Sequence, residues 1–211
     1  MTEIILVRHG ETDWNVQERF RGRADIELNT TGRKQAELLA QYLKDVKFGA
    51  ILTSPLERAL KTAQIIATGH YRTPVEPVMD LIDIDFGEWQ SLSLTDVKEK
   101  YAGLYERWLK EPQRARMPGG ESLAEVRKRA LTVVNDVVTR YEGTVVLVSH
   151  RVVNKVIILG LLGLDNSHFG NIKLDTCGIT IFNYEDERYI LTRHNDTSFL
   201  KSLPKNPLQD F

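Results

Sequence analysis

Apolar positions along the chain follow two rhythms. Ile4–Val7, Ala50–Leu52 and Thr144–Val148 are short, nearly continuous apolar runs, the pattern of strands buried on both faces. Between them the spacing turns helical. Thr30 and Thr31 cap a helix to about Leu43, with Ala36, Leu39, Tyr42 and Leu43 on one face. A second helix runs from Leu56 to about Ala67, with Pro55 at its first turn. A third opens at Glu121-Ser122-Leu123, after the breaker Pro118-Gly119-Gly120, and reaches about Tyr141. A fourth covers Val152–Leu162 and is ended by Gly163. Gly178–Tyr184 and Arg188–Arg193 read as two strands joined by the turn Glu185-Asp186-Glu187. Strands alternating with helices predict the α/β class. The expected architecture is a three-layer α/β/α sandwich, with a mainly parallel sheet and an antiparallel edge strand.

One stretch breaks the alternation. Residues 86 to about 120 carry Phe86, Trp89, Tyr101, Tyr105 and Trp108 in polar helical sequence, with no strand pattern. This predicts a helical lid insertion over the sheet, within a single domain spanning 1–211. Its aromatic residues would form a small satellite core or shape a pocket.

Composition narrows the partners. Lys and Arg number 28 against 29 Asp and Glu, so no global basic field exists for nucleic acid or an anionic membrane. The single cysteine, Cys177, excludes an intramolecular disulfide and a multi-cysteine zinc site. It reads as a buried strand residue and fits a reducing, cytoplasmic setting. Ile4–Val7 is too short for a signal peptide or a membrane span. Apolar residues on an exposed edge strand would allow a homodimer.

Two strand ends rhyme. Ile4–Val7 runs into Arg8-His9-Gly10, and Val145–Val148 runs into Ser149-His150-Arg151. Each places a histidine just past the C-terminal end of a buried strand, the edge where open α/β sheets bind ligands. Arg58, after Ser54-Pro55, falls at the same edge. Arg19, Arg21 and Arg23 form a local basic cluster. His70, His168 and His194 sit in loop or strand-end contexts and read as surface or structural. Metal-ligand spacings, the P-loop and the dinucleotide fingerprint are all missing, so neither metal nor cofactor is expected. A neutral histidine can attack phosphorus, while arginine forks and a charged second histidine hold the phosphoryl oxygens. A proton donor would come from Asp80, Asp83, Asp85 or Glu88.

These residues fall in ordered motifs. They are Leu6-Val7-Arg8-His9-Gly10-Glu11-Thr12-Asp13-Trp14-Asn15, Arg19-Phe20-Arg21-Gly22 with Asp25 and Leu28, Thr31-Gly32 with Gln35-Ala36, and Ser54-Pro55-Leu56-Glu57-Arg58-Ala59. Leu81 to Trp89, Pro118-Gly119-Gly120-Glu121-Ser122 and Val148-Ser149-His150 follow. Together they resemble the histidine phosphatase superfamily, its phosphoglycerate-mutase-like branch, over nearly the whole chain. The resemblance implies that His9 is the nucleophile and becomes phosphohistidine. Arg8, Arg58 and His150 would bind the phosphoryl group, with Asn15 and the backbone amide of Arg151. Asp83 stands where the family places a general acid, often glutamate. Arg21 precedes Gly22 where many relatives carry glutamine, and the added charge would favour a more anionic substrate; both are assigned to substrate binding. Phe199 stands where some phosphatases of the family carry histidine.

Mutases of the family are longer and carry paired arginines, whereas here Arg114 and Arg116 are not adjacent. The resemblance therefore implies a metal-independent phosphomonoester hydrolase of small metabolites. The alternatives are a phosphoglycerate mutase and a non-catalytic phosphate-binding regulator. Phosphoserine, α-ribazole phosphate, sugar phosphates and phosphoglycerates are the substrates the resemblance implies.

Overall fold

The computed structural model describes residues 1–203, so the last eight positions of the expected 1–211 domain lie outside the described residues. In chain order the elements are β1 (Thr2–Arg8), α1 (Asp13–Val16), α2 (Thr30–Tyr42), β2 (Phe48–Thr53), α3 (Glu57–Ala67) and β3 (Val75–Pro77). They are followed by α4 (Leu94–Lys100), α5 (Ala102–Lys110), α6 (Leu123–Arg140), β4 (Gly143–Ser149), α7 (Arg151–Leu161), β5 (Ile179–Glu185) and β6 (Arg188–Asp196). The six strands form one sheet in the order β3-β2-β4-β1-β5-β6. β3, β2, β4 and β1 run parallel, while β5 is antiparallel to β1 and pairs with β6 as a hairpin at the edge.

Alternation along the strands builds the layers, since successive side chains point to opposite faces. Ile4, Leu6, Val145 and Leu147 pack beneath α6 and α7. Ile5, Val7, Val146 and Val148 pack against α2 and α3. Every residue of α7 from Arg151 to Leu159 is buried, which fits its apolar character around most of its circumference.

Several expectations change in detail. The cap of α2 is Asn29, whose side chain accepts from the Gly32 N–H, rather than Thr30 or Thr31. Leu56 is the N-cap of α3, so Pro55 lies outside the helix. Val75–Pro77 forms a strand of three residues, too short to show a period. Cys177 lies in the turn before β5, with a left-handed φ of 55°, rather than in the strand. α6 begins as its sequence predicts, with Ser122 and Glu125 exchanging hydrogen bonds in a capping box.

The aromatic stretch is not a satellite core. Phe86, Trp89, Tyr105 and Trp108 belong to the same buried cluster as Ile4, Leu6 and Leu147. Phe20 meets Phe86 and Trp89 edge-on, with ring centroids 5.2 and 5.0 Å apart. α4 and α5 are thus fastened to the sheet through the main core.

Candidate active site

The register of β1 on β4 places Arg8 opposite Ser149, so the residues that follow, His9 and His150, leave the sheet side by side. The His9 N–H donates to the Ser149 carbonyl at 3.0 Å, and the two imidazole centroids are 5.2 Å apart. On the other flank the Cys177 N–H donates to the Arg8 carbonyl at 3.0 Å. The turn after His9 presses on α2. A Cβ at Gly10 would come within 2.5 Å of the Gly32 carbonyl oxygen, and one at Gly32 within 2.0 Å of the Glu11 carbonyl oxygen. Only glycine at both positions permits this approach.

His9 Nδ1 lies 2.7 Å from the Gly10 carbonyl oxygen. A carbonyl can only accept, so Nδ1 carries the proton and Nε2 keeps its lone pair. Burial, followed by the charges of Arg58, Arg8 and Arg21, holds the ring well below the ordinary histidine range. His9 is therefore neutral at neutral pH.

His150 is buried beside it. Its Nε2 is 2.7 Å from Ser54 Oγ, and Nδ1 is 3.6 Å from Asp83 Oδ2. Burial and then the Arg58 charge also push its pKa well down. Burial thus favours the neutral ring, where a charged second histidine is expected from the sequence.

Arg58 enters from the first turn of α3, where Asp25 Oδ1 accepts from the Glu57 N–H at 2.7 Å. Its guanidinium donates to the carbonyls of Ala24 at 2.8 Å and Gly22 at 2.7 Å, and to Asp83 Oδ2 at 3.1 Å. Among the described residues, its buried Nε has no hydrogen-bond partner. Burial lowers its pKa while Asp83 opposes the shift. The other Asp83 oxygen accepts from the Ile84 N–H at 3.0 Å. Gly22, with φ at +49°, turns its carbonyl onto Arg58.

Of the local basic cluster, Arg21 alone turns inward. It donates to the carbonyls of Trp14 and Arg19, and among the described residues its buried Nε has no hydrogen-bond partner. Burial, then the Arg8 and Arg58 charges, drive its pKa well down. Arg19 lies over Trp14, and Arg23 pairs with Glu121. Arg8 donates to the Leu174 carbonyl. Arg151 is the first residue of α7, whose N-terminus opens at the same edge. Asn15 Oδ1 accepts from the Thr12 N–H and hydroxyl.

Other candidates are engaged elsewhere. Asp85 accepts from the Gly87 N–H, and Glu88 accepts from the Tyr101 hydroxyl. Among the acidic residues of this segment, the structure places Asp83 against Arg58 and His150. Arg114 pairs with Glu111, and Arg116 with Glu125. Phe199 stacks on Tyr42 at 4.9 Å, in the cluster on the α2 face. His70 packs on Phe48, His168 pairs with Asp165, and His194 is exposed.

The sequence reading assigns no role to several groups that hold the site. Ser54 supports His150, and the Ser149 hydroxyl donates to the Leu81 carbonyl at 2.7 Å. Thr62 Oγ1 accepts from the Gly10 N–H at 3.1 Å. Arg129 on α6 donates to the carbonyls of Asp80 at 2.7 Å, Ile82 at 2.6 Å and Asp83 at 3.2 Å, and it pairs with Glu121 at 3.1 Å. It staples the loop that carries Asp83. The motif containing Glu121 is visible in the sequence, but its partner about two turns along a helix is not.

The arrangement offers a neutral imidazole with a free lone pair, ringed by guanidinium groups and facing a carboxylate. Among the described residues, no three His, Cys, Asp or Glu side chains converge as metal ligands. Among them also, no helix is long and apolar enough to cross a membrane.

A family model for the histidine phosphatase superfamily (branch 1) matches residues 4–197. Phosphoserine phosphatase 1 of Hydrogenobacter thermophilus is 36% identical over 201 residues, covering 95% of each chain. Among solved structures, Bacillus stearothermophilus YhfR superposes with a TM-score of 0.91 at 29% identity, over 95% of this chain and all of that one. A phosphoserine phosphatase from Entamoeba histolytica, in complex with 3-phosphoglyceric acid, gives a TM-score of 0.84 at 33% identity, with the same coverage.

Proposed function

The chain belongs to branch 1 of the histidine phosphatase superfamily, and from that premise we propose that it hydrolyses small phosphomonoesters through a phosphohistidine at His9, without a metal. The observation that carries this reading is the fixed tautomer of His9, with Nδ1–H on the Gly10 carbonyl and the Nε2 lone pair left for attack. Arg8, Arg58 and His150 would bind the phosphoryl oxygens, with Asn15 Nδ2 and the Arg151 N–H. Gly22 supports binding by holding Arg58, and Arg21 adds positive charge.

In the first step Nε2 forms a bond to phosphorus as the ester P–O bond breaks. Asp83 gives its proton to the departing oxygen. In the second step water attacks phosphorus, Asp83 takes the water proton, and the P–N bond breaks. Inorganic phosphate leaves, and His9 returns to its neutral form. A bound phosphoryl dianion competes with Asp83 for the Arg58 guanidinium.

Hydrolysis is favoured over mutase chemistry because Arg114 and Arg116 are already engaged with Glu111 and Glu125. Rapid acid-free quenching with a phosphate-labelled ester should trap acid-labile, base-stable label on His9. Turnover should persist in EDTA. Full activity of His9→Ala would overturn the proposal, and a divalent-ion requirement would overturn its metal independence.

A further inference from the structure

The hairpin of β5 and β6 is irregular at one place. Ile179 pairs with Asp196 and Ile181 with Arg193, so β5 contributes Thr180 alone where β6 contributes both His194 and Asn195. The extra residue is a β-bulge, a device that re-aims a side chain. Asn195 sits in it with a left-handed φ of 47°, a conformation that asparagine adopts more readily than most residues. Its N–H donates to Thr180 Oγ1 at 3.1 Å, and Thr180 stands opposite Leu6 on β1. Its side chain reaches out of the hairpin to Asp175. Oδ1 accepts from the Asp175 N–H at 2.8 Å, and Nδ2 donates to Asp175 Oδ2 at 2.9 Å. The fit is close, since a Cβ at Gly178 would come within 2.3 Å of Asn195 Oδ1.

The turn so gripped also holds Arg8. Residues 172–175 belong to neither helix nor strand, so their placement depends on contacts with other segments. Leu174, next to Asp175, gives its carbonyl to the Arg8 guanidinium. The Cys177 N–H donates to the Arg8 carbonyl at 3.0 Å, and the Gly178 carbonyl accepts from the Arg8 N–H at 3.4 Å. Backbone and side chain of Arg8 thus both meet this turn. An arginine side chain has many rotamers, and a donor stabilises a transition state best when it is fixed beforehand. We propose that Asn195 is a positioning residue for Arg8. Through Asp175 it sets the Leu174 carbonyl, and that carbonyl aims the guanidinium at the phosphoryl group at His9. Asn195 acts through Arg8 rather than on the substrate. The assignment rests on the hydrolase reading above and on the role given there to Arg8.

Substitutions at Asn195 test it, read on turnover of nitrophenyl phosphate. Asn195→Gly keeps the left-handed backbone and removes the amide. It should lower kcat about tenfold with less than about threefold change in KM, as for a transition-state donor that is loosened but still present. In an Arg8→Ala background the same substitution should change kcat less than about twofold, because the group it aims is gone. A merely structural role would lower kcat equally in both backgrounds. Asn195→Asp sets a carboxylate against Asp175 and should also lower kcat about tenfold. Adding Asp175→Asn restores a donor–acceptor pair in the opposite sense and should recover most of the loss. This reversed pair keeps the test decisive if Asn195→Gly does not fold. Wild-type kcat in Asn195→Gly, equal losses with and without Arg8, or no recovery in the reversed pair would overturn the positioning role while leaving the hydrolase reading intact. Wild-type protein that does not turn over the ester would overturn both.

Discussion

Ser54 and His150, 96 residues apart in the chain, share a buried 2.7 Å contact between Oγ and Nε2. The Leu56 N–H already points at the same oxygen at 3.3 Å, so the serine proton is available to Nε2. The ring proton then sits on Nδ1, facing Asp83 and the crevice. His150 becomes a donor aimed at the anion site. Ser54→Ala should lower kcat about tenfold, the scale of one buried hydrogen bond, with less than about threefold change in KM. Ser54→Thr, which keeps the hydroxyl, should recover most of the loss. Unchanged kcat in the alanine variant would mean that the contact does not orient the ring.

Arg58 has a second duty besides charge, because its fork also holds Gly22, Ala24 and Asp83. Arg58→Ala should cost about 10²–10³-fold in kcat. Unfolding titrations should also show a loss of roughly 3 kcal/mol, since Asp83 is left buried without its partner. Arg58→Lys should recover only part of either, a point charge being no substitute for the fork. Equal kcat for lysine and arginine would argue against bidentate binding.

The role of Asp83 is best read from the leaving group. Asp83→Asn should slow phosphorylation of His9 by about 10²-fold or more with an alkyl phosphate, whose oxygen needs a proton. With a nitrophenyl phosphate the same step should slow less than about tenfold. Single-turnover measurements separate it from later steps. Equal slowing of both esters would remove Asp83 as the acid.

Stability should fall on mild acidification. His9 and His150 are both held well below the usual histidine range in the folded chain. Below about pH 6.5 the unfolded chain takes up two protons that the folded chain refuses, so stability rises with pH through this window and falls as pH drops. Each proton contributes a limiting slope of roughly 1.4 kcal/mol per pH unit. Urea titrations at pH 7, 6 and 5 would measure it. Replacing His9 with Asn should roughly halve the slope, and a flat profile in the native protein would contradict the burial of neutral rings.

Much of this architecture is legible in the pattern of the chain. Ile4–Val7 and Val145–Val148 show themselves as buried strands, and the histidines that end them follow directly. The helix from Ser122 is equally plain, because its cap and its Glu125 are local. What escapes the pattern is tertiary. Gly22 and Ala24 hold Arg58 through backbone carbonyls, which carry no residue identity. Arg129 reaches the Asp83 loop from 46 residues away, also through carbonyls. The neutral state of His150 follows from its burial beside Arg58, a quantity no motif encodes. The aromatic stretch looked separable because its residues lie apart from the strands in sequence, yet Phe86 and Trp108 share their core.

The pairing of β1 with β4 has a further consequence for how the chain folds. Glu3 and Thr144, neighbours in that pairing, are 141 residues apart. Closing so long a loop must precede the contacts that reward it, and parallel pairing of this kind is intrinsically slow. His9 and His150 stand at the end of that ladder. Early local structure, such as the capped helix α6 or the β5–β6 hairpin, therefore brings neither imidazole nearer the other. In refolding from urea, helical signal should return well before the ability to bind phosphate, and activity should follow the slowest phase.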